Sequence, residues 1–211
     1  MNTHNQPPES LERIGQQHVQ HAPQAFIDID VEADGIAGYG SLLSLGAVSP
    51  WGETFYTELR PMHTVYIPEN RAFSDAHGLA YDRLQREGED PLQAFTDFSV
   101  WTQQVIAAHD KKTAVFTAYN ASYDFPLVDA YYKQLGLKNP YGHAAFCIKS
   151  LAMVVAGSRT WDWAQTGKGS LPAELVPNGD FTHNALEDAK YQQKIHFRLA
   201  GLLHRYGIFT E

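Results

Sequence analysis

The chain has 211 residues, 44% of them hydrophobic and 12% aromatic, which suits one core of ordinary size and excludes a disordered protein. Its single cysteine, Cys147, excludes an internal disulfide and a zinc site built from cysteines. A formal net charge of −8 argues against binding of nucleic acid through bulk positive charge, although acids gathered around metal ions would be neutralised locally. No apolar run approaches the ~18 residues of a membrane span. The polar N-terminus lacks the apolar core of a signal peptide, so we expect a cytoplasmic protein with no membrane partner.

The first part of the chain predicts a polar segment followed by three strands. Residues 1–22 are polar and form either a short helix from Pro8 to Val19 or a flexible tail. The strand-like runs are Ala25–Val31, Ser41–Val48 and Glu53–Leu59. Asp34-Gly35 and Pro50-Trp51-Gly52 supply turn residues between the strands, and these short connections predict an antiparallel meander. Asp34 is expected to act in a turn rather than as a metal ligand.

The rest of the chain alternates between helices and strands. A short helix with an irregular end is predicted over Asp75–Leu84, and residues 157–179 are rich in loop-forming residues. The longer predicted elements are a helix over Pro91–His109, a strand over Thr113–Tyr119, a helix continuing to Tyr132 or Leu135, a helix over Ile148–Ala156 and a last helix from Asn184 to about Tyr206. This order predicts an α/β architecture with a mixed sheet, in one domain over residues 23–211.

The first predicted strand carries an unusual row of acids. Because side chains alternate between the two faces of a strand, Asp28, Asp30 and Glu32 share one face with Phe26, and no lysine or arginine lies next to them. A solvated edge strand is one explanation, since edge strands do carry charge. The other is a cation site. Mg²⁺ prefers hard oxygen ligands and keeps several waters, so a few carboxylates suffice.

Two further acids stand at predicted helix starts. Asp124 lies in the first turn after a buried strand, where α/β proteins often place their sites. Asp188 lies in the first turn of the last helix, which Asn184 is predicted to cap, and His183 lies just outside it. An acid in a first turn also has the simpler role of complementing the helix dipole. A loop histidine suits a general base, and a helical carboxylate suits a metal ligand.

Taken together, these segments resemble the DEDDh exonuclease superfamily, which includes the proofreading subunit of bacterial polymerase III, oligoribonuclease and ribonuclease T. The motifs that carry the resemblance are Phe26-Ile27-Asp28-Ile29-Asp30-Val31-Glu32-Ala33-Asp34-Gly35, Leu43-Ser44-Leu45-Gly46-Ala47-Val48, Ala118-Tyr119-Asn120-Ala121-Ser122-Tyr123-Asp124 and His183-Asn184-Ala185-Leu186-Glu187-Asp188-Ala189. A further segment of the family is less closely matched by Asp75-Ala76-His77-Gly78-Leu79. The order and spacing of the motifs are more specific than any one of them.

The resemblance implies an RNase H-like fold, in which helices flank a mixed five-stranded sheet, and a 3′–5′ exonuclease domain over residues 23–211. The spacing Asp-x-Glu selects Asp30 and Glu32 and leaves Asp28 as their neighbour on the same face. The implied metal ligands for two Mg²⁺ or Mn²⁺ ions are Asp30, Glu32, Asp124 and Asp188, with His183 as general base. The implied reaction releases 5′-mononucleotides from 3′ ends. The spacing of His183 and Asp188 argues against the related subclass that has tyrosine in place of histidine.

Substrate contacts are expected from aromatic side chains, because bases stack on them without any reading of sequence. The aromatic candidates near the motifs are Tyr119, Tyr123, Phe73, Phe181 and Tyr39, and Asn120 is a further, polar candidate. Trp161 and Trp163, with Arg159 and Lys168 nearby, predict a strand-binding loop, a dimer contact or a loop packed by its own aromatic residues. Cys147 is expected to be a buried, small, apolar residue.

The resemblance leaves the substrate and the oligomeric state open. Tyr119 stands where many relatives have histidine, and Ala33-Asp34 replaces two threonines, so the choice between DNA and RNA is not settled. The negative net charge favours short single-stranded ends as substrates, because tight binding of a long duplex depends on extended basic patches. Several relatives are dimers, which makes a homodimer one expectation.

Two readings compete with an exonuclease. The first is a catalytically quiet relative that binds only nucleic acid or a protein. The second is a structural domain for Ca²⁺ or Mg²⁺, whose ligands usually lie in one continuous loop. The acids of this chain are spread over its length instead.

Overall fold

The structure is a computed structural model that describes residues 8–155, 162–167, 170–179 and 181–208. Its helices and strands are α1 (Pro8–His21), β1 (Ala25–Ala33), β2 (Leu42–Val48), β3 (Thr54–Glu58), α2 (Pro68–Ala76), α3 (Tyr81–Glu87), α4 (Pro91–Ala108), β4 (Ala114–Ala118), α5 (Ala121–Gln134), β5 (Ala145–Cys147), α6 (Ile148–Val155) and α7 (Ala185–Arg205). A single 3₁₀ turn over Trp163–Thr166 lies between α6 and α7. Among the helices in these ranges, none has both the length and the apolar character needed to cross a membrane.

The five strands form one mixed sheet in the order β3-β2-β1-β4-β5. β1 pairs antiparallel with β2, and β2 pairs antiparallel with β3, as short connections predict. β4 lies parallel to β1 on its other edge, and β5 lies parallel to β4. The α/β fold with a mixed five-stranded sheet flanked by helices is therefore confirmed, and β1 lies at its centre.

The two faces of β1 meet different helices. Its apolar face packs Ile27, Ile29 and Val31 into the main core, which also contains residues of α4 and α5. Its acidic face lies towards α7, where Asp28 contacts Gln193 and other side chains of that helix. The alternation of apolar and acidic residues in the sequence thus separates a core face from a face that carries the candidate site.

The N-terminal helix α1 packs closely along α7. A Cβ atom at Gly15 would lie 1.7 Å from the backbone oxygen of Phe197, and one at Gly201 would lie 2.2 Å from that of Leu11. Glycine is required at both positions because the two helix backbones come into contact there. The predicted helix is present, whereas the start of the exonuclease domain at residue 23 stays a prediction.

The predicted helix over Asp75–Leu84 is wrong. α2 ends and α3 begins inside this range, so two short helices replace one. Gly78, with φ +85°, follows the end of α2, a backbone conformation that stops a right-handed helix. The next residue, Leu79, is buried in a small cluster with Leu43 and Leu84, so the chain turns inward between the helices.

Two other elements have no counterpart in the sequence analysis. α2 begins with Pro68 in its first turn, a signal for a helix start, and β5 is only three residues long. The end of the predicted helix at Ala156 lies outside the described residues. Arg159, Trp161 and Lys168 lie outside them as well.

Candidate active site

The candidate site lies where β1 and β4 stop pairing. Their ladder joins Ala25–Asp28 to Ala114–Thr117, and β1 continues beyond it. The side chain of Gln192, from α7, lies between the strands at this point. Its amide nitrogen donates to the carbonyl of Ile29 at 2.7 Å, and its oxygen accepts from the N–H of Tyr119 at 2.8 Å. The amide thus replaces the missing ladder bonds and holds the two strand ends apart.

A pocket of about 400 Å³ opens at these strand ends. It is lined by Asp30, Val31, Glu32, Tyr119, Asn120, Tyr123, Asp124, Phe181, His183 and Asp188. The fold therefore brings together all five residues that the sequence analysis expected to be catalytic, from three separate segments of the chain. Four of the six expected substrate contacts also line this pocket. Tyr39 is not among the lining residues and is half exposed.

The strand and the first turn of α5 place three of the carboxylates. Asp30 and Glu32 project from β1, and Asp124 accepts a hydrogen bond from the N–H of Val31 at 3.3 Å. Burial, together with the nearby negative charges of Asp124, Glu32 and Asp30, raises the pKa of the Tyr123 hydroxyl to about 12. These charges therefore act on one small volume, and no lysine or arginine is among the described residues that line it.

The fourth carboxylate is held by the loop that precedes α7. Asp188 is almost fully buried and accepts hydrogen bonds from the N–H of Thr182 at 2.9 Å and from that of His183 at 3.2 Å. The side chain of Asn184 caps the helix by accepting from the backbone of its first turn, which confirms the predicted cap. His183 has a left-handed backbone, with φ +55°. Loop and helix start are thus fixed to each other through one carboxylate.

The imidazole of His183 lies between the acids and α2. Its Nδ1 is 3.9 Å from a carboxylate oxygen of Glu32, and 39% of its side chain is exposed. On the other side its ring centroid is 4.5 Å from that of Phe73 and 4.6 Å from that of His77. Phe73 therefore does not line the pocket. It contacts His183, which does. The ring is both supported by α2 and open to solvent.

A buried ion pair fixes α2 over the site. Arg71 donates to the carboxylate of Asp34 at 2.6 Å, and Asp34 also accepts from the N–H of Ser41. The guanidinium lies 3.5 Å from the ring centroid of Tyr66 and 4.0 Å from that of Tyr81, an arrangement that favours a cation. The expected turn residue Asp34 is therefore a fully buried anchor for α2, a role that the sequence analysis missed.

Asp28 shares a face with the site but belongs to a different environment. It is fully buried, and its carboxylate lies 3.2 Å from the amide nitrogen of Gln193 and 3.3 Å from Nδ1 of His196. Burial raises the pKa of this carboxyl above its usual value. Asp28 is absent from the residues that line the pocket, so its contacts hold α7 against the sheet.

Cys147 is not the buried apolar residue that was expected. It is only partly buried and lies next to the site, near the start of α5. Burial raises the pKa of its thiol, but hydrogen bonds with Ser150 and the backbone of Ala121 outweigh burial and hold that pKa below its usual value. The sequence does not show these hydrogen-bond partners of the thiol, and the expectation of an apolar environment for Cys147 was therefore wrong.

The donor set of the pocket fits a divalent metal ion. Glu32, His183 and Asp188 each offer a ligand atom, and these three atoms lie within 4.8 Å of one another. Asp30 and Asp124 line the same pocket. Hard carboxylate oxygens are the ligands that Mg²⁺ and Mn²⁺ prefer, and without a cation the clustered negative charges would repel one another.

Replacement of Gln192 by leucine is expected to destabilise the protein. The Ile29 carbonyl and the Tyr119 N–H would lose their partner, and each buried unpaired group costs about 1–3 kcal/mol, so the free energy of unfolding should fall by about 2–6 kcal/mol. Urea unfolding measures this change. Gln134→Leu, at an exposed position of α5, is the matched control and should shift stability by less than about 0.5 kcal/mol. Equal stability of both variants would contradict the bridging role of Gln192.

Comparison with known sequences identifies the family. Residues 25–199 match the family model of the 3′–5′ exoribonuclease Rv2179c-like domain. The 3′–5′ DNA exonuclease Cap18 of Escherichia coli is 32% identical over 179 residues, which cover 83% of this chain and 91% of that protein. The match to the family model spans the sheet, the site residues and most of α7.

Solved structures share the fold at much lower identity. The nuclease domain of 3′hExo, a DEDDh family member bound to rAMP, is similar with a TM-score of 0.61 and 14% identity over 87% of this chain and 93% of that one. The RNase domain of yeast Pop2 has a TM-score of 0.53 and 11% identity, covering 95% and 84% of the two chains. E. coli exonuclease I in complex with a dT13 oligonucleotide has a TM-score of 0.51 and 12% identity, covering 85% and 41%.

These findings confirm the resemblance that the motifs carried. The solved structures show the RNase H-like fold, and the family model and the curated relative are both named for 3′–5′ exonucleases. The chain therefore belongs to the 3′–5′ exoribonuclease Rv2179c-like family, and it is a 3′–5′ exonuclease.

Proposed function

We propose that this exonuclease removes 5′-mononucleotides one at a time from the 3′ ends of single-stranded nucleic acid, with two Mg²⁺ or Mn²⁺ ions in its site. The observation that carries the proposal is the convergence of the four carboxylates and His183 on one pocket. In such sites two ions stabilise the attacking and leaving oxygens of an in-line displacement. Asp30, Glu32, Asp124 and Asp188 would hold them.

His183 is proposed to accept the proton of the attacking water. Histidine is the side chain type that exchanges a proton near neutral pH, and a general base has to reach its water directly. The imidazole is partly exposed at the mouth of the pocket and close to Glu32. Its contacts with Phe73 and His77 orient the ring without occupying its solvent side.

The 3′-terminal nucleotide is proposed to lie in the same pocket. Asn120, Tyr123 and Phe181 line it and would contact the base or sugar, while Phe73 extends this surface beyond His183. Tyr119 is suited to a different role. It is 6% exposed, and its hydroxyl donates to the backbone oxygen of Thr166 at 2.5 Å, so it supports the pocket wall rather than stacking on a base.

The kind of nucleic acid is the open part of the proposal. The family model is named for exoribonucleases and the curated relative for a DNA exonuclease, so both sugars are candidates. A net charge of −8 favours short single-stranded ends over long duplexes. A cytoplasmic location is supported by the single cysteine, and a homodimer by the resemblance to dimeric relatives.

We expect shortening of oligonucleotides only when a divalent metal ion is present. Single-stranded DNA and RNA, labelled at the 5′ end, should give a ladder that shortens stepwise with Mg²⁺ or Mn²⁺ and stays intact with EDTA, because without metal ions the carboxylates would repel the reacting phosphate and nothing would stabilise its charge. A label at the 3′ end should appear at once in a 5′-mononucleotide. If neither nucleic acid shortens with either metal, a catalytically quiet relative replaces the proposal.

A further inference from the structure

A second recess lies directly beside the active-site pocket. It measures about 300 Å³ and shares Asn120 with the pocket. The first turn of α5, the end of β5, α6 and the 3₁₀ turn enclose it, and Phe125, Cys147 and Trp163 are among its walls. None of its described lining residues is acidic, whereas four carboxylates line the neighbouring pocket. We call this second space the side recess.

One wall of the side recess is an aromatic ring, that of Trp163, and a cation from outside the lining lies against this ring. Trp163 is 48% exposed although it lies against the body of the protein. The ammonium of Lys149 is 4.5 Å from the centroid of its ring. Asp162 caps the 3₁₀ turn by accepting from the N–H of Ala164 at 3.0 Å, which defines the start of the turn. An exposed indole next to an ammonium is the chemistry that binds bases and phosphates of single strands.

The turn that carries Trp163 is tied to the active site through hydrogen bonds. Thr166, at the end of the turn, is buried, and its hydroxyl donates to the backbone oxygen of Trp163 at 2.7 Å. The backbone oxygen of Thr166 accepts from the hydroxyl of Tyr119, which also lines the catalytic pocket. The backbone of the turn that carries Trp163 is therefore linked to the catalytic pocket through Thr166 and Tyr119.

We propose that Trp163 and Lys149 form a subsite for the nucleotide that precedes the 3′-terminal one. This inference rests on the proposed function, because it assumes that the terminal nucleotide lies in the catalytic pocket. The preceding base would stack on the indole, and a phosphate of the strand would contact the ammonium. The strand would then run past Asn120, the residue that both spaces share.

Another recess, near the start of α7, is less suited than the side recess to bind the nucleic-acid strand where it leaves the catalytic pocket. It measures about 500 Å³ and is lined by Glu12 and Glu187 as well as Lys190 and Lys194. The ammonium of Lys190 is 2.8 Å from the carboxylate of Glu187, so part of its positive charge is already offset. Carboxylates repel phosphates, and this favours the side recess.

The subsite predicts a preference that depends on the base at the penultimate position. Wild-type protein would be given two oligonucleotides that differ only there, one with a normal base and one with an abasic sugar. We expect kcat/KM to be about tenfold higher for the normal base, since stacking on an aromatic ring has this order of effect. Trp163→Ala should abolish the preference while it leaves cleavage of the abasic oligonucleotide unchanged.

Control variants separate stacking from other effects. Trp163→Phe should keep most of the preference, because it retains a flat aromatic face. Tyr206→Ala, at an exposed aromatic residue near the end of α7, should change nothing. Lys149→Ala should make log kcat/KM depend less steeply on log salt, by a slope of roughly 0.7, the value for one phosphate contact on a single strand.

The outcomes distinguish this subsite from the proposed function. If wild-type protein shortens neither oligonucleotide, the proposed function fails. If wild-type protein shortens both and Trp163→Ala keeps the same preference for the normal base, the subsite is wrong although the function stands. Equal losses on both oligonucleotides in Trp163→Ala would also overturn the subsite, because they would show a structural role of the turn.

Discussion

Asp124→Asn is expected to lower kcat by about 10³-fold or more, the scale of several kcal/mol of transition-state charge stabilisation. Asparagine has the same shape and keeps an oxygen that can accept from the N–H of Val31, as Asp124 does at 3.3 Å. The substitution removes a negative charge from the proposed metal site and leaves the fold in place. Steady-state hydrolysis of a single-stranded oligonucleotide measures the loss, and calorimetric titration with Mn²⁺ should show weakened binding.

A second aspartate in α5 provides the matched control. The carboxylate of Asp129 accepts from Lys133 at 2.5 Å and from Asn139 at 3.1 Å, and Asp129 is not among the residues that line the candidate pocket. Asp129→Asn should leave kcat and Mn²⁺ binding unchanged. Equal activity of Asp124→Asn and the wild type would remove Asp124 from the proposed ligands, whereas a fall in its melting temperature would point to the fold instead.

Gly46→Ala is expected to impair both stability and activity. Gly46 pairs with Asp30 in the sheet, and a Cβ atom there would lie 2.2 Å from the backbone nitrogen of Leu186 and 2.3 Å from the carbonyl carbon of Ala185. Overpacking of this kind costs about 1–3 kcal/mol. The start of α7 would have to move away from β2, and Asp188 would move with it. A misplacement near 1 Å can cost about 10²-fold in rate.

Thermal unfolding and kcat, measured on the same preparation, check this prediction. Gly52→Ala is the control, because that glycine has φ +101° and no atom within 4 Å of an added Cβ. Its strain should lower the melting temperature while the folded protein keeps full activity. If Gly46→Ala retains full kcat below its melting temperature, the close approach of α7 to β2 does not position the site.

The convergence of the candidate site residues on one pocket could be predicted because each of their motifs is placed by local rules. The alternation of side chains along a strand puts Asp30 and Glu32 on one face, and a strand followed by a helix start places Asp124 at the carboxyl end of the sheet. The cap at Asn184 fixes where α7 begins, and hence where Asp188 lies. The order of strands in the sheet then brings these positions to one edge.

The supports of the site could not be predicted in the same way. Arg71 and Asp34 are 37 residues apart in the sequence. Gln192 is also distant in the sequence from both of the strands that it bridges. A polar residue inside a helix looks the same in sequence whether it faces solvent or a buried strand end. The break between α2 and α3 depends on Leu79, which turns into the core, and a helical pattern does not show that preference.

The left-handed backbone at His183 limits which residues can stand there. A β-branched residue is a strong outlier at φ +55°, whereas glycine adopts this conformation freely. Because the N–H of His183 donates to Asp188, a substitution that rejects the conformation would remove that hydrogen bond as well as the imidazole. Glycine would remove the imidazole alone. His183→Gly is therefore the substitution of choice for trapping an uncleaved nucleic acid in an otherwise intact site.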